Sequence, residues 1–581
     1  MRAPRTRAAA AAYYSAPVSA DPPADGASGG GAQADAPAAA VREPGSPAPD
    51  AVRAEPPARG RRILRNTAIF SVATGLSRIA GLVREIVAAG IFGLRVEASA
   101  FTIAFQVPNL LRALVADAAL SAAFVPVFTE LLEAKKRREA VHLAGALFGL
   151  ILTVLGAITV VGMLLSPLVV PLFTGERFSP SDDDLTVVLT QILFPIVVLL
   201  GLNGLVVGVL NAYDHFSIPA IAPLVWNVVI IASLVGLRGL FEGQEQIYAY
   251  AIGVLLGTIV QFAMALPVLR RVGFPLRPSF RFRHDPRVRQ VLVLMLPVTI
   301  GLGLINFNLF INSVLGTRVS DGASRAIDAA FRIYMLPQGM FSVAVATVLF
   351  PQLSRLAARR DLGGLRASSS AGVRQIFLLL VPCAAAMLVL AEPLTRLVYE
   401  RGDFGPRDTD AVAEALFWFA FSLPFAGANL MLTRTFFSLQ RPWTPTALAG
   451  ATLALNVVIA LLLYRRFGIG GIVVATAIAS AAMTLGQVAY LRGELGGFEV
   501  GRTLKALAGM LVAAALLAAS AYGAWRALDD LLGHSLPAQL AAVGVALGVG
   551  GAIYAGTVLL LRVPEAEAVV ALIRRRLPGR G

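Results

Sequence analysis

From Asn66 onward the chain repeats one pattern, apolar stretches of about 20–30 residues separated by short polar segments. Each is long enough to cross a hydrocarbon layer of ~30 Å at 1.5 Å per helical residue. Fourteen such stretches are predicted, at 67–92, 98–125, 141–171, 185–211, 217–239, 246–270, 288–316, 324–353, 369–398, 410–438, 443–464, 468–491, 502–526 and 534–562. The runs are continuous and lack the ~10-residue alternation of barrel strands, so every one reads as a helix. Pro108, Pro195, Pro337 and Pro424 fall inside them and mark kinks or breaks that face protein or a cavity.

The pattern also repeats at a larger scale. Phe194-Pro195 recurs as Leu423-Pro424, Ser217-Ile218-Pro219 as Trp443-Thr444-Pro445, and Phe124-Val125-Pro126 as Leu349-Phe350-Pro351. Asn227-Val228-Val229-Ile230 returns unchanged as Asn456-Val457-Val458-Ile459. All four lie about 225–229 residues apart and in the same order. Six helices fit within that offset, so both copies enter the membrane from the same side. The predicted fold is an all-α polytopic membrane protein with two pseudo-symmetric six-helix lobes, 66–271 and 286–492, and two additional helices at 502–562. Parallel repeats of this kind are a transporter plan with a central site. Residues 1–65 are rich in Ala, Pro, Gly and Arg without apolar periodicity and read as a disordered tail; residues 563–581 form a short basic tail.

Composition agrees with the pattern. The 581 residues are 57% hydrophobic and 15% charged, with a mean hydropathy of +0.72, against about 45–50% and 25% in soluble domains. The net charge of +15 belongs to membrane orientation, not to nucleic acid. Lys and Arg in alternate loops and the C-terminal tail number 23 on one side, including Lys135–Arg138 and the arginines of 270–289, and 10 on the other. The positive-inside rule then places both termini in the cytoplasm. The single cysteine, Cys383, excludes an internal disulfide, and the four histidines lack metal-ligand spacing.

Charge inside a spanning helix costs at least ~2.5–3.5 kcal/mol per Arg on insertion scales, so the few charges present are informative. Helix 1 carries Arg78, Arg84 and Glu85; helix 2 carries Asn109, Arg112 and Asp117; helix 8 carries Asp328 and Arg332. Arg78 and Glu85 are seven apart and nearly in register, with Arg84 about 120° away, so helix 1 is polar over a wide sector. Pairing of Arg84 with Asp117 and of Arg78 with Glu85 would make these charges structural. Four arginines still outnumber three acids, and guanidinium is suited to gripping a phosphate bidentately.

The stretches SRIAGLVREIVAAGIFG and AFQVPNLLRALVADAALSAAFVPVFTE resemble the first two helices of the MurJ/MviN lipid II flippases, of the multidrug/oligosaccharidyl-lipid/polysaccharide exporter superfamily. NAYDHFSIPAIAPLVWN, FRIYMLPQGMFSVAVATVLFPQLSR and LVYERGDFGPRDT agree in order. The resemblance implies a flippase, not an enzyme, that moves the undecaprenyl-diphosphate-linked peptidoglycan precursor from the inner to the outer leaflet of the bacterial cytoplasmic membrane by alternating access. It implies substrate contacts at Arg78, Arg84, Arg112 and Arg332, supported by Glu85, Asn109, Asp117 and Asp328, and a lipid-tail groove on helices 13 and 14. It implies no cofactor and no metal; the membrane potential is the expected driving force, and ion coupling stays open. Partners are lipid II and membrane lipids, with cell-wall synthesis or division proteins as additional candidates. Family members commonly carry an acid just before the helix 8 arginine, where this chain has Phe331, with Asp328 one turn earlier. The alternatives are an exporter of drugs or of another polyprenyl-linked glycan and, with less support, a membrane glycosyltransferase, whose surface carboxylates or histidines have no signature here.

Overall fold

A computed structural model describes residues 57–567 except 116–117, 176–177, 214, 216, 276, 281 and 283–284. The expected tail up to residue 56, Asp117 and the basic tail beyond 567 lie outside the described residues. All regular structure among the described residues is helical. In chain order the α-helices are α1 (Pro57–Phe92), α2 (Val96–Val115), α3 (Ala118–Glu133), α4 (Arg137–Phe173), α5 (Pro180–Leu193), α6 (Pro195–Ala212), α7 (Ser217–Leu237), α8 (Tyr248–Arg271) and α9 (Pro286–Thr317). They continue as α10 (Ala323–Pro337), α11 (Val343–Ala358), α12 (Leu362–Val389), α13 (Ala391–Tyr399), α14 (Pro406–Ser438), α15 (Trp443–Glu494), α16 (Val500–Leu532) and α17 (Leu536–Leu560).

Among the described residues every predicted stretch coincides with helix, and the differences lie in how stretches are broken or joined. Stretch 4 splits into α5 and α6 at Phe194-Pro195, where the proline cannot donate a backbone hydrogen bond to the preceding turn. Stretch 8 continues from α10 through a π-helical turn, Gln338–Ser342, directly after Pro337. Stretch 9 breaks at Leu390 into α12 and α13. Stretches 11 and 12 run together as the 52-residue α15, which bends at Gly468, a residue at φ +54°. Unbent, such a helix would be ~78 Å long, far more than one crossing requires. The described part of α1 starts at Pro57, inside the segment read as tail.

Ten continuous helical spans among the described residues are long and apolar enough to cross a membrane, α15 among them. α1, the α2–α3 pair and α9 are not among the ten, and these helices carry Arg84 and Glu85, Glu97 and Gln106, and Asn312. α2 to α8 pack chiefly on one another, as do α10 to α15, while α9 divides its packing between α2 and α3 on one side and α15 and α10 on the other. Two apolar cores lie mainly within the first half, centred on Phe124, Leu147 and Leu205 and on Phe101, Leu189 and Ile230. A third, around Leu380, Phe419 and Ile472, continues into Met510, Trp525 and Tyr554 of the α16–α17 hairpin.

The hairpin is tied to the second half at both ends. Arg374 of α12, 4% exposed, donates to Glu499 at 2.9 Å and to Glu565, just beyond α17. At the opposite end Arg396 of α13 lies 3.7 Å from Asp529 of α16. The repeated asparagines each make a joint of a different kind: Asn227 donates to the Ser77 carbonyl of α1 at 3.4 Å, whereas Asn456 donates across the bend of α15 to Thr476, which also accepts from Asn312 of α9.

The two halves meet along a glycine-lined seam at the end of the bundle that carries loops 93–95, 318–322 and 400–405. The Asp403 N–H donates to the Gly90 carbonyl at 2.9 Å, and Gly402, at φ +63°, lies so close that a Cβ would overlap that oxygen. Replacing Gly402 with Ala should therefore lower the unfolding midpoint in detergent, by more than the ~1–2 kcal/mol cost of the left-handed backbone alone. An unchanged midpoint would show that the seam relaxes without penalty.

Candidate functional site

Just inside that seam, charges from both halves converge on Glu85. It sits seven residues before the end of α1, about 10 Å below the seam at helical rise, and is 2% exposed. Its Oε1 accepts from Arg84 Nη2 at 2.5 Å and Nε at 3.1 Å, accepts from the Tyr250 hydroxyl at 3.3 Å, and lies 3.2 Å from Arg332 Nη1. Its Oε2 accepts from Arg325 Nη2 at 3.1 Å. Arg325 and Arg332 both come from α10, where Asp328 Oδ2 accepts from Arg325 Nη1 at 3.1 Å and from Arg332 Nε at 3.0 Å. Arg84 also lies over the Trp226 ring, 4.8 Å from its centroid, a cation–π contact worth up to ~2 kcal/mol when desolvated.

Three guanidiniums, of Arg84, Arg325 and Arg332, share two carboxylates, Glu85 and Asp328, drawn from both halves. Such an assembly is tolerated in low dielectric only because each charge is hydrogen-bonded, and removing a shared acid leaves several charges uncompensated. Tyr399 supports the arrangement by donating to the Ala329 carbonyl of α10 at 3.2 Å. Outside the cluster, Arg95 pairs with Asp403 and lies 3.5 Å from Glu97.

Away from the seam the facing helices are exposed. Arg78 lies on the exposed side of α1 beside Ile79, which is 61% exposed. A Cβ added to Gly339, in the π-helical turn, would stand 3.7 Å from Arg78 Nη1. Met340 and Val348 beyond it are 56% and 76% exposed.

The residues singled out in the sequence therefore meet in part. Arg84, Glu85, Asp328 and Arg332 form one cluster, with Arg78 about two turns away on α1. Glu85 is partnered by its neighbour Arg84 and by Arg325 and Arg332 of α10, and not by Arg78, the pairing considered as a purely structural alternative. Asn109 lies on α2 and has an interaction partner of its own. Arg112 also lies on α2, but its side chain and all of Asp117 are outside the described residues. Arg325, Tyr250 and Trp226 were not singled out. Arg325 could have been found, because it lies three residues before Asp328 and seven before Arg332 on one face of α10. Among the described residues no three His, Cys, Asp or Glu side chains are grouped to hold a metal ion.

Fold and site together define a polytopic α-helical membrane protein with a charged joint between two helical halves. The profile of the lipid II flippase MurJ family matches residues 88–541. A probable lipid II flippase MurJ of Rhizobium meliloti (strain 1021) is 32% identical over 512 residues, covering 84% of this chain and 94% of the relative. The lipid II flippase MurJ of Burkholderia cenocepacia is 34% identical over 381 residues, 65% of this chain and 73% of the relative. Among solved structures, a lipid II flippase MurJ in an inward closed conformation superposes with a TM-score of 0.68 at 22% identity, covering 85% of this chain and all of the other. An inward-facing MATE family transporter of the MOP superfamily gives 0.61 at 16% identity, covering 72% and 94%. The chain belongs to the lipid II flippase MurJ family.

The seam makes its own prediction. Cysteines replacing Arg95 and Asp403, about half-exposed residues of opposite halves, should be joined by a short bifunctional thiol reagent. Failure to cross-link in resting protein would mean that the two halves are separated at this end.

Proposed function

We propose that this chain flips lipid II, carrying the undecaprenyl-diphosphate-linked precursor from the inner to the outer leaflet of the cytoplasmic membrane. The observation that supports this best is the excess of guanidinium over carboxylate where the two halves meet. A buried excess of positive charge is relieved by an anion, and the diphosphate of lipid II is the anion the family's substrate offers. Arg78, Arg84, Arg112 and Arg332 are read as its contacts, with Glu85, Asn109, Asp117 and Asp328 as support. Glu85 fills the place of an anion while the site is empty, and a diphosphate that displaces it from Arg84 and Arg332 weakens the joint holding the seam closed. Capture is thereby coupled to opening, as alternating access requires. The lipid tail is assigned to the α16–α17 hairpin and stays in membrane lipid throughout.

The loop charges orient this cycle. With Lys135–Arg138 and the 270–289 loop in the cytoplasm, both termini are cytoplasmic, the closed seam faces outward, and the exposed surfaces around Arg78 and Met340 face inward. No cofactor is required. The membrane potential, worth ~2.3 kcal/mol per charge per 100 mV, acts on the charges that move with the two halves. Contacts with cell-wall synthesis or division proteins would be additional.

Two experiments test this reading. Reporters at Lys135–Arg138 should read cytoplasmic and reporters at 402–408 extracytoplasmic; reversed signals would overturn the orientation. Ala at Arg78, Arg84, Arg112 or Arg332 should abolish lipid II translocation at near-normal abundance, because Glu85 keeps other arginines when one is lost. Lys should rescue in part, a point charge replacing a fork. Glu85→Ala should instead cost about 3–5 kcal/mol, as breaking a buried pair does, and lower abundance. Active, abundant Ala variants at all four arginines would remove the binding assignment.

A further inference from the structure

One guanidinium of the cluster is enclosed by residues of the first half. Arg325 is 4% exposed, and Ala88 and Phe92 of α1, Phe101 of α2 and Tyr250 of α8 line the same recess. A side chain from the second half is thus seated among residues of the first. Its two terminal nitrogens go to different acids, Nη2 to Glu85 Oε2 and Nη1 to Asp328 Oδ2, each at 3.1 Å. The oxygens of Glu85 are divided accordingly. Oε2 accepts from Arg325, whereas Oε1 is shared by Arg84, Arg332 and Tyr250. Arg332 keeps a third of its side chain exposed.

Charge accounting gives this division a purpose. Without Arg325, Arg84 and Arg332 would be balanced by Glu85 and Asp328. The two arginines could not then both turn to an incoming anion without leaving buried carboxylates unpaired, a state several kcal/mol uphill. With Arg325 in place, Glu85 retains a charged partner on Oε2 when its Oε1 is vacated.

We propose that Arg325 is a positioning residue for substrate capture: it holds Glu85 through Oε2 so that Arg84 and Arg332 can exchange Oε1 for a diphosphate. Arg325 itself does not touch the ligand. The proposal rests on the reading that the bound group is a polyprenyl diphosphate.

The test measures binding of undecaprenyl diphosphate to the full-length protein in lipid nanodiscs, with unfolding midpoints recorded in parallel. Arg325→Gln should weaken binding about tenfold or more, a loss of at least ~1.4 kcal/mol. Arg325→Lys should recover part of it, since an ammonium replaces the fork that spans both acids. Adding Glu85→Gln to Arg325→Gln should return affinity to within about threefold of the parent, because the competing carboxylate is gone. A purely structural role for Arg325 predicts lowered midpoints without this recovery. If Arg325→Gln does not accumulate, Arg325→Lys takes its place: weakened binding restored by Glu85→Gln supports the proposal, and parental binding overturns it. Parental binding by Arg325→Gln, or a double variant as weak as the single, overturns it too. An unsubstituted protein that fails to bind undecaprenyl diphosphate overturns the functional reading and this proposal together, whereas normal binding that ignores Arg325 overturns the proposal alone.

Discussion

The closed arrangement of this protein depends on one carboxylate. Glu85 is buried between two helical halves and receives hydrogen bonds or close ion pairs from three arginines and a tyrosine on α1, α8 and α10. An isolated carboxylate is not tolerated at such a place; Arg84 and Tyr250 partner it from its own half, and Arg325 and Arg332 tie it to the other. The glycine seam above it has the complementary role. Backbone-to-backbone approach at Gly90 and Gly402 holds that end together, and burial of Glu85 beneath it keeps the dielectric around the cluster low. The joint is strong when dry and weak when wet, as suits a structure that must open.

Separation of the halves would not leave either side with an isolated charge. Arg84 and Glu85 are adjacent on α1, and Arg325, Asp328 and Arg332 share one face of α10. Each half carries a locally paired set, neutral on α1 and singly positive on α10. The cost of opening is thus confined to the bonds that cross the seam. The positive side of the opened joint is α10, next to the π-helical turn that lets α10 and α11 bend relative to each other.

Much of this was legible in the sequence, and the parts that were not have physical causes. Continuous apolar runs located the helices, because length and hydropathy are what the bilayer demands, and ten of the helical spans among the described residues are long and apolar enough to cross it. Breaks were harder. Pro195 and Pro424 occupy matching places in the repeat, yet the first divides α5 from α6 while the second lies inside the unbroken α14. Charged residues within helices pointed to Arg84, Glu85, Asp328 and Arg332, but not to their pairing. Adjacent residues on a helix point about 100° apart and are not expected to meet; Arg84 reaches Glu85 because its long stem can curl back along α1. Arg325 stands at the start of α10, where an arginine looks like an ordinary end-of-helix charge until the fold seats it among Phe92, Phe101 and Tyr250.

The joint at Arg374 bears on how the chain is made. This arginine is buried on α12, and its partners lie 125 and 191 residues further along, at Glu499 and Glu565. During synthesis α12 reaches the membrane long before either acid exists. Until then the guanidinium must stay hydrated at the membrane face or borrow a transient partner, since an unpaired charge does not settle into hydrocarbon. Glu499 arrives with the start of α16, and Glu565 only after α17 has emerged. Docking of the α16–α17 hairpin therefore follows insertion of α12, and the two-acid clasp on Arg374 is complete only once Glu565 has been made.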